Sequence, residues 1–532
     1  MKKILTAVAT LAILSLVFGF TPYYMGGKAQ QSLAIQHRAL ADTFFFDVVS
    51  HEYQRGWFSS TETTVMRFHP AMLSKLNGQL PDNVKKLFDQ PVTMVNHVQH
   101  GLFADGIKPV RAVVETEFQY APEVAKTLAR FFGQSTPATA RNVIALDGSG
   151  ELTVQVAPFD YEELSGIKIN WKGMSAQVTY QEGFTEYRSQ FNLPGIQVQL
   201  ADMGSISLDN LNLTAQSQEG KHDMTLGWSE TKLAGLKLAW KQGIDYNVRL
   251  NDLVNMVTDL QIGAFINPSG TIAPNDVNVS NLIYRTETQQ DEQGFINSRG
   301  AFAFEKLQYG QEQYGPLAID IAAEHLDSKS LTALKQRWAQ IATTHQNKNN
   351  GDVNDLVLDA VRKEGAGIFT HNPVFKIHQF AFQTPDGHIN ATGELKFKDL
   401  QQADLNDFAA IVRKTQADIG FDVSQNLLEN FAVTQARSLF TVEDPSSAQE
   451  QQEISDTIRM LVGETIKTMN AEGYIKRENG TVQTRLSLKD NRVTLNDKLF
   501  EAPNDQDAFV ALEGQSASDA MLPESASSAL KY

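Results

Sequence analysis

Histidines and carboxylates that lie close together in the sequence are the residues from which acid–base chemistry could be built. Asp47, His51 and Glu52 form one such group. Successive residues of a β-strand point to opposite faces, so His51 and Glu52 would not converge on a substrate. We therefore predict ordinary surface chemistry here and no catalytic residue.

A second group comprises Glu324, His325 and Asp327. Asp327 directly precedes a segment with helical spacing that begins at Ser328. An aspartate at that position accepts a hydrogen bond from a backbone N–H of the first helical turn. We predict that Asp327 caps the helix and that this group is structural.

The other histidines do not form a metal site. His97 and His100 are three residues apart and would face opposite sides of a strand, and the sequence near them offers no obvious third metal ligand. His371, His378 and His388 straddle a predicted hairpin, where surface histidines are the simpler interpretation. The chain contains no cysteine, which removes thiolate ligands and cysteine nucleophiles. We predict no metal and no cofactor.

Short catalytic motifs are also missing from the sequence. It has no Gly-x-Ser-x-Gly, Walker A or His-Glu-x-x-His motif, and no dinucleotide fingerprint after a strand. The sequence therefore predicts a protein that is not an enzyme. The alternative that stays open is a hydrolase of envelope glycan or lipid that uses paired carboxylates, because the chain has 62 acidic residues.

The N-terminus begins with Lys2 and Lys3, followed by the uncharged apolar run Ile4–Phe20. Basic residues before an apolar run place the N-terminus in the cytoplasm. We predict a transmembrane anchor over residues 1–25, with the rest of the chain in the bacterial periplasm. A cleaved signal peptide is the alternative, although no small-x-small triplet immediately follows Phe20.

The formal net charge of −16 argues against nucleic acid and against an anionic lipid surface as partners bound through bulk electrostatics. The predicted partner is the lipid bilayer, through the N-terminal helix.

Hydrophobic periodicity divides the remainder of the chain. We predict a juxtamembrane helical stalk at 26–43, a β-rich periplasmic domain at 44–325 and an α+β part at 326–500. Residues 501–532 are acidic and rich in Ser and Ala, which predicts disorder. The predicted fold class is mainly β, with a long antiparallel meandering sheet and helices concentrated after residue 326.

Segments between residues 142 and 322 alternate with a period of two and are separated by Gly, Asn or Asp, as in antiparallel meanders. A loose repeat recurs in Ser165–Ile169, Ser205–Leu208 and Ala234–Leu238. Few helices are predicted here to cover the apolar face, so a second sheet, a partner subunit in a homodimer, or lipid must do so. We predict an apolar groove, for a lipid ligand or a protein partner of the cell envelope, lined by Ile167, Ile169, Leu208, Leu236 and Leu238. The alternative is a structural or assembly protein that forms a dimer without a ligand.

Three motifs resemble a known family: Tyr53 with Arg55–Ser60, Tyr314–Leu317 with His325–Asp327, and Val493–Lys498. Together with the N-terminal anchor, they are similar to the YdgA-like bacterial proteins. That resemblance implies an envelope protein anchored in the inner membrane, whose biochemical role it does not define. The alternating strands also resemble, more distantly, the AsmA-like proteins thought to carry lipids across the periplasm.

The anchor prediction is tested by membrane topology. A reporter fused to the C-terminus should be active when it requires the periplasm and inactive when it requires the cytoplasm, because Lys2 and Lys3 hold the N-terminus inside. Activity of the cytoplasmic reporter alone would contradict this orientation, and a mature protein lacking residues 1–25 would contradict the anchor.

Overall fold

The structure, a computed structural model, describes residues 20–41, 46–68, 89–106, 108–240, 276–344, 350–436 and 448–500. The predicted anchor, apart from its last residues, and the predicted tail at 501–532 lie outside this part. No helix among the described residues has both the length and the apolar character needed to cross a bilayer.

The chain forms two compact units. Unit 1 comprises residues 1–289, 299–319 and 382–385, and unit 2 comprises 290–298, 320–381 and 386–532. The described residues are mainly β, and most helices follow residue 326, which confirms the coarse prediction of the fold class.

The elements up to Tyr314 include two helices among the described residues, α1 Thr21–Ala41 and α2 Pro122–Phe132. The strands are β1 Phe46–Arg55, β2 Ser59–Phe68, β3 Val92–His100, β4 Val110–Tyr120, β5 Ala138–Ala145, β6 Gly150–Val156, β7 Phe159–Glu162, β8 Ile167–Trp171, β9 Met174–Tyr180, β10 Glu186–Leu200, β11 Gly204–Glu219, β12 Thr225–Trp240, β13 Asp276–Gln290, β14 Phe295–Phe304, β15 Lys306–Tyr309 and β16 Glu312–Tyr314.

The remaining strands are β17 Leu317–Asp327, β18 Val374–Thr384, β19 Gly387–Phe397, β20 Thr415–Ser424, β21 Lys476–Glu478, β22 Thr481–Lys489, β23 Arg492–Leu495 and β24 Lys498–Leu499. The helices are α3 Ser328–Thr344, α4 Asn350–Lys363, α5 Ala366–Thr370, α6 Phe408–Lys414, α7 Gln425–Ala436 and α8 Ala448–Ala471.

Unit 1 is an antiparallel meander in which β1 to β6 pair in chain order, and β6 then pairs with β9. The sheet continues through β10, β11, β12 and β13. Helix α1 lies on the face of β1, β3 and β4. The sequence predicts a stalk at 26–43, and the structure shows the described part of this stretch, up to Ala41, as a helix packed on the sheet of unit 1.

Strands β10 to β13 of unit 1 share one line of irregular positions at which regular cross-strand pairing is interrupted, and we call this line the crease. Two rows of directly opposed apolar residues flank it, Leu193–Leu211–Leu233–Leu282 and Ile196–Leu208–Leu236–Val279. Each strand has two residues between these rows, and the register is interrupted at one position in each: Pro194, Asn210, Ala234 and Asn281.

The crease requires an unusual backbone because residues three apart on a regular strand point to opposite faces. In β10 the half-buried side chains are Phe191 and Leu193 before the crease and Ile196 and Val198 after it. In β11 and β13 the change of phase falls at asparagines with positive φ, +53° at Asn210 and +51° at Asn281. Asparagine tolerates this left-handed conformation better than other residues with a Cβ, apart from aspartate.

Unit 2 contains a sheet in which β20 pairs with β19 on one side and β22 on the other. The sequence predicts that the terminal strands join a sheet with 374–397, and the β19–β20–β22 pairing confirms this for β19 and β22. The sequence predicts helices at 406–414 and 423–439 and misses strand β20, whose last two residues fall within the second predicted helix. Asn496 and Asp497, with φ of +47° and +64°, form a two-residue turn between β23 and β24.

The crease predicts a contrast between substitutions of Asn210. Asn210→Val should lower the free energy of unfolding of unit 1 by about 1–2 kcal/mol, because a β-branched residue is strained in the left-handed conformation. Asn210→Gly should stay within about 0.5 kcal/mol of the wild type, because glycine lacks a Cβ. Urea denaturation followed by tryptophan fluorescence measures both.

The matched control is Asn192→Val, an exposed position of the neighbouring strand where β-branched residues are favourable. Equal effects of valine at 210 and 192 would contradict the role of the crease.

Candidate functional site

The structure separates most of the histidines considered in the sequence. His97 is exposed and lies 3.4 Å from Glu117, whereas His100 is buried and contacts Ser60 at 3.0 Å. Among the described residues, no three His, Cys, Asp or Glu side chains are arranged to hold a metal.

In unit 2, Asp327 Oδ2 accepts a hydrogen bond of 2.8 Å from the backbone N–H of Ser330, which confirms the predicted cap of α3. The ring of His325 stacks on Phe295 at 3.8 Å between centroids. Glu324, next to His325, pairs with Lys376 at 2.7 Å. The three residues of this group therefore face separate partners.

The five residues of the predicted groove lie on β8, β11 and β12, on one side of the crease. Leu208 is directly opposite Leu236, and Val198 and Ile206 connect Ile169 to Leu238 through successive cross-strand pairs. Ile167 faces Leu200 in the next row. All five are half-buried. The structure thus places them on one apolar surface, while their role in ligand binding stays a prediction.

A separate cavity of about 800 Å³ lies elsewhere in unit 1, between α1 and the sheet. It is bounded by residues of α1, β1 to β6, β9 and β10, and most of its surface is apolar. The residues that carry this apolar character are Leu33, Phe46, Met66, Phe68, Val92, Met94, Val114, Phe118, Leu152, Val154 and Val178. We take this cavity as the candidate functional site.

The cavity follows from the alternation of its strands. In β2 the inward positions after Ser60 are Glu62, Thr64, Met66 and Phe68, with exposed or half-buried residues between them. The sequence of β2 therefore sets polar residues at one end of the cavity and apolar residues at the other. Side chains of β3 and β4 continue the same rows because they are direct cross-strand partners.

Glu62 is the charged residue at the polar end, and its side chain is only 4% exposed. Its Oε1 lies 2.8 Å from His51 Nε2, and its Oε2 accepts a bond of 2.7 Å from Asn96 Nδ2. Thr116 Oγ1 in turn donates to Asn96 Oδ1 at 2.7 Å. The buried carboxylate is thus held on both oxygens, as burial of a charge requires.

Helix α1 forms one wall of the cavity and is held by polar contacts along its length. Arg111, which is buried, donates to Ser32 Oγ at 2.9 Å. Gln36, Asn142 and Tyr180 form a closed set of hydrogen bonds of 2.8 to 2.9 Å. Apolar packing accompanies these bonds in a core cluster of Ala29, Leu33, Val98, Ala112, Val114 and Ile144.

The start of α1 is held by residues of the motif Arg55–Ser60 and its neighbours. Arg55 donates to the carbonyl of Tyr23 and lies over its ring, and Trp57 packs against the same ring at 5.0 Å. His100, which contacts Ser60, also lies 2.8 Å from the carbonyl of Pro22. The motif therefore positions the helix that closes the cavity.

Two glycines allow this close approach. A Cβ on Gly26 would lie 2.7 Å from Cε1 of His100, and one on Gly27 would lie 3.1 Å from the Arg55 guanidinium. The backbone of α1 therefore lies directly against the side chains of His100 and Arg55.

Burial changes the titration of two histidines near α1. It lowers the pKa of His37, and the nearby His51 lowers it further, while Glu62 acts in the opposite direction. Burial also lowers the pKa of His100, although its backbone hydrogen bonds oppose this effect. The ring of His37 is 4.0 Å from that of His51, and its buried Nε2 has no hydrogen-bond partner among the described residues.

Sequence reasoning missed the polar end of the cavity. It compared His51 with its neighbour Glu52, whereas the partner is Glu62, on the next strand. The signal was present in the alternation of Thr61–Phe68, which puts the single acidic residue of that stretch, Glu62, on the inward face with Met66 and Phe68.

Residues 1–502 match the family described as "Bacterial protein of unknown function (DUF945)", and the chain belongs to this family. No curated protein and no solved structure matches the chain.

The lowered pKa of His37 predicts a loss of stability in acid. An imidazole whose folded pKa lies below its unfolded value of 6.5 takes up a proton on unfolding, so its contribution is complete above that pH and declines below it. The free energy of unfolding should fall as the pH is lowered through about 6.5, and His37→Gln should reduce this fall.

His97→Gln is the control, because His97 lies on the exposed face and should leave the acid-induced loss unchanged. The same loss in His37→Gln as in the wild type would rule out His37 as a contributor.

Proposed function

We propose that this protein is anchored in the bacterial inner membrane and binds the acyl chain of a lipid in the cavity of unit 1, on the periplasmic side. The observation that carries the proposal is the cavity of about 800 Å³ with predominantly apolar walls. Its volume falls within the roughly 300–1,000 Å³ of small-molecule sites. Water would find few partners against such walls, and acyl chains would replace the missing dispersion contacts.

Exposed aromatic residues support a location next to the bilayer. Phe20, Tyr23, Tyr24, Trp57 and Phe58 are between 43% and 60% exposed, and they cluster around the start of α1. In the sequence the apolar run Ile4–Phe20 leads directly into this helix. Tyr and Trp favour the water–lipid interface, so this end of unit 1 suits contact with headgroups.

The family match is consistent with the resemblance to YdgA-like envelope proteins, and we extend that name to the chain as part of the proposal. The distant resemblance to AsmA-like proteins points in the same direction, because those proteins are thought to carry lipids.

We infer binding without catalysis. A glycoside hydrolase would need two carboxylates facing each other across the site, about 5–10 Å apart. Among the described residues that line the cavity, Glu62 is the one acidic side chain, and both its oxygens are engaged by protein groups.

The alternative is an assembly protein that forms a dimer without a ligand. The half-buried apolar rows of β8, β10, β11 and β12 favour it, because a second copy could cover them. Bound lipid and an empty dimer are distinguished by the mass of the native complex.

Filling the cavity should abolish lipid binding. Ala140 lies on the cavity floor, and Ala140→Phe should fill the space that an acyl chain would occupy. Native mass spectrometry of the full chain extracted from membranes should show lipid on the wild type and none on this variant, with thermal unfolding unchanged.

The matched control is Thr139→Phe, on the exposed face of the same strand, which should retain lipid. Absence of lipid from the wild type would overturn the proposal. Retention by Ala140→Phe would move binding away from the cavity, and charged substitutions of Leu208 and Leu236 would then test the second surface.

A further inference from the structure

The cavity of unit 1 has predominantly apolar walls and one hydrogen-bonded polar row, and the further polar residues that line it are Gln36, Thr64, Arg67, Gln90, Asn142 and Ser189. Glu62, Asn96 and Thr116 are direct cross-strand partners on β2, β3 and β4, joined by two hydrogen bonds of 2.7 Å. His51 holds the other carboxylate oxygen at 2.8 Å and is about one third exposed. The row therefore forms a fixed polar end, made before any ligand enters.

This polar end retains unused hydrogen-bonding capacity. A carboxylate offers about four acceptor positions, and the described protein groups occupy two of those on Glu62. His37 also lines the cavity at this end, and its buried Nε2 has no hydrogen-bond partner among the described residues. A ligand group placed here would meet an acceptor and an imidazole together.

The opposite end is mainly apolar, although Arg67, which pairs with Asp47 at 3.4 Å, and Gln90 also line it. Apolar side chains follow the polar row along the same faces of its strands. Phe118 lies one row beyond it, Met66 and Val92 lie two rows beyond it, and Phe68 lies three rows beyond it. Phe46 packs against Phe68 at 5.1 Å between ring centroids. The cavity thus matches a molecule with one hydrogen-bonding head and one apolar chain.

We propose that this cavity selects an uncharged, hydroxyl-bearing acyl amphiphile, such as a monoacylglycerol, and that Glu62 excludes free fatty acids. This inference rests on the proposed function and adds the chemistry of the headgroup. A ligand hydroxyl donates to Glu62, and hydrogen bonds to charged groups are the strong ones.

A fatty carboxylate at the same place meets a like charge in a site shielded from water. It enters only with a proton taken up against its normal pKa, which weakens its binding at neutral pH. The carboxylate Glu62 therefore discriminates between two ligands with the same chain.

The test is competition for the full chain, stripped of lipid in mild detergent and analysed by native mass spectrometry. Monopalmitoylglycerol and palmitic acid are offered in equal amounts at neutral pH. The wild type should load the glyceride in at least about tenfold preference, the ratio that corresponds to a single strong hydrogen bond. Glu62→Gln should narrow the preference to about threefold or less while still binding lipid, because an amide can donate to a carboxylate.

Glu117→Gln is the matched control. Glu117 also pairs with a histidine, His97, but on the exposed face of β4, so the variant should keep the wild-type preference. Equal loading of the two ligands by the wild type, or an unchanged preference in Glu62→Gln, would overturn this inference and leave lipid binding standing. Loading of neither ligand would overturn the proposed function itself.

A ligand series on the unaltered protein keeps the inference testable if Glu62→Gln does not fold. Methyl palmitate is uncharged but has no donor, so it should load less than the glyceride and more than palmitate. Loading equal to the glyceride would overturn the role of the hydroxyl, and loading equal to palmitate would overturn charge exclusion.

Discussion

The attachment of α1 to the sheet is the interaction on which unit 1 depends. The inward positions of this helix, Pro22, Gly26, Ala29 and Leu33, recur at helical spacing, and all are buried. Apolar packing alone would tolerate sliding of the helix. The polar contacts fix its position, because Arg111, Gln36 and His100 each have a partner at only one register. The cavity exists because this wall is held in place.

Burial of Arg111 shows how strictly that position is specified. Its side chain is 8% exposed, and the acidic partner Glu182 lies 3.4 Å away and is largely exposed. The remaining bonds go to Ser32 and to the carbonyl of Leu146. A buried charge with so few partners is strongly destabilising once a partner is lost. A misplaced α1 would leave the guanidinium without Ser32, so the contact penalises alternative positions of the helix.

Much of this architecture could be predicted from local patterns. The alternation between residues 142 and 322 and the helix cap at Asp327 depend on neighbours in the sequence, and the described residues of these segments show both. The crease was not predicted, because the role of Asn210 and Asn281 emerges only when four strands align their irregular positions. The pairing of Glu62 with His51 and Asn96 depends on strand register, which a single sequence does not specify.

Glu62 is the feature of the cavity that folding alone does not explain. An apolar residue at this inward position would continue the packing of Val98 and Val114 in the adjacent row, with no charge to desolvate. The chain instead places a carboxylate here and provides Asn96, Thr116 and His51 to satisfy it. Proteins depart from local rules chiefly at functional sites, where stability is given up for specificity. The polar row therefore supports the proposed binding site, because a packing defect would have no reason to be hydrogen-bonded across three strands.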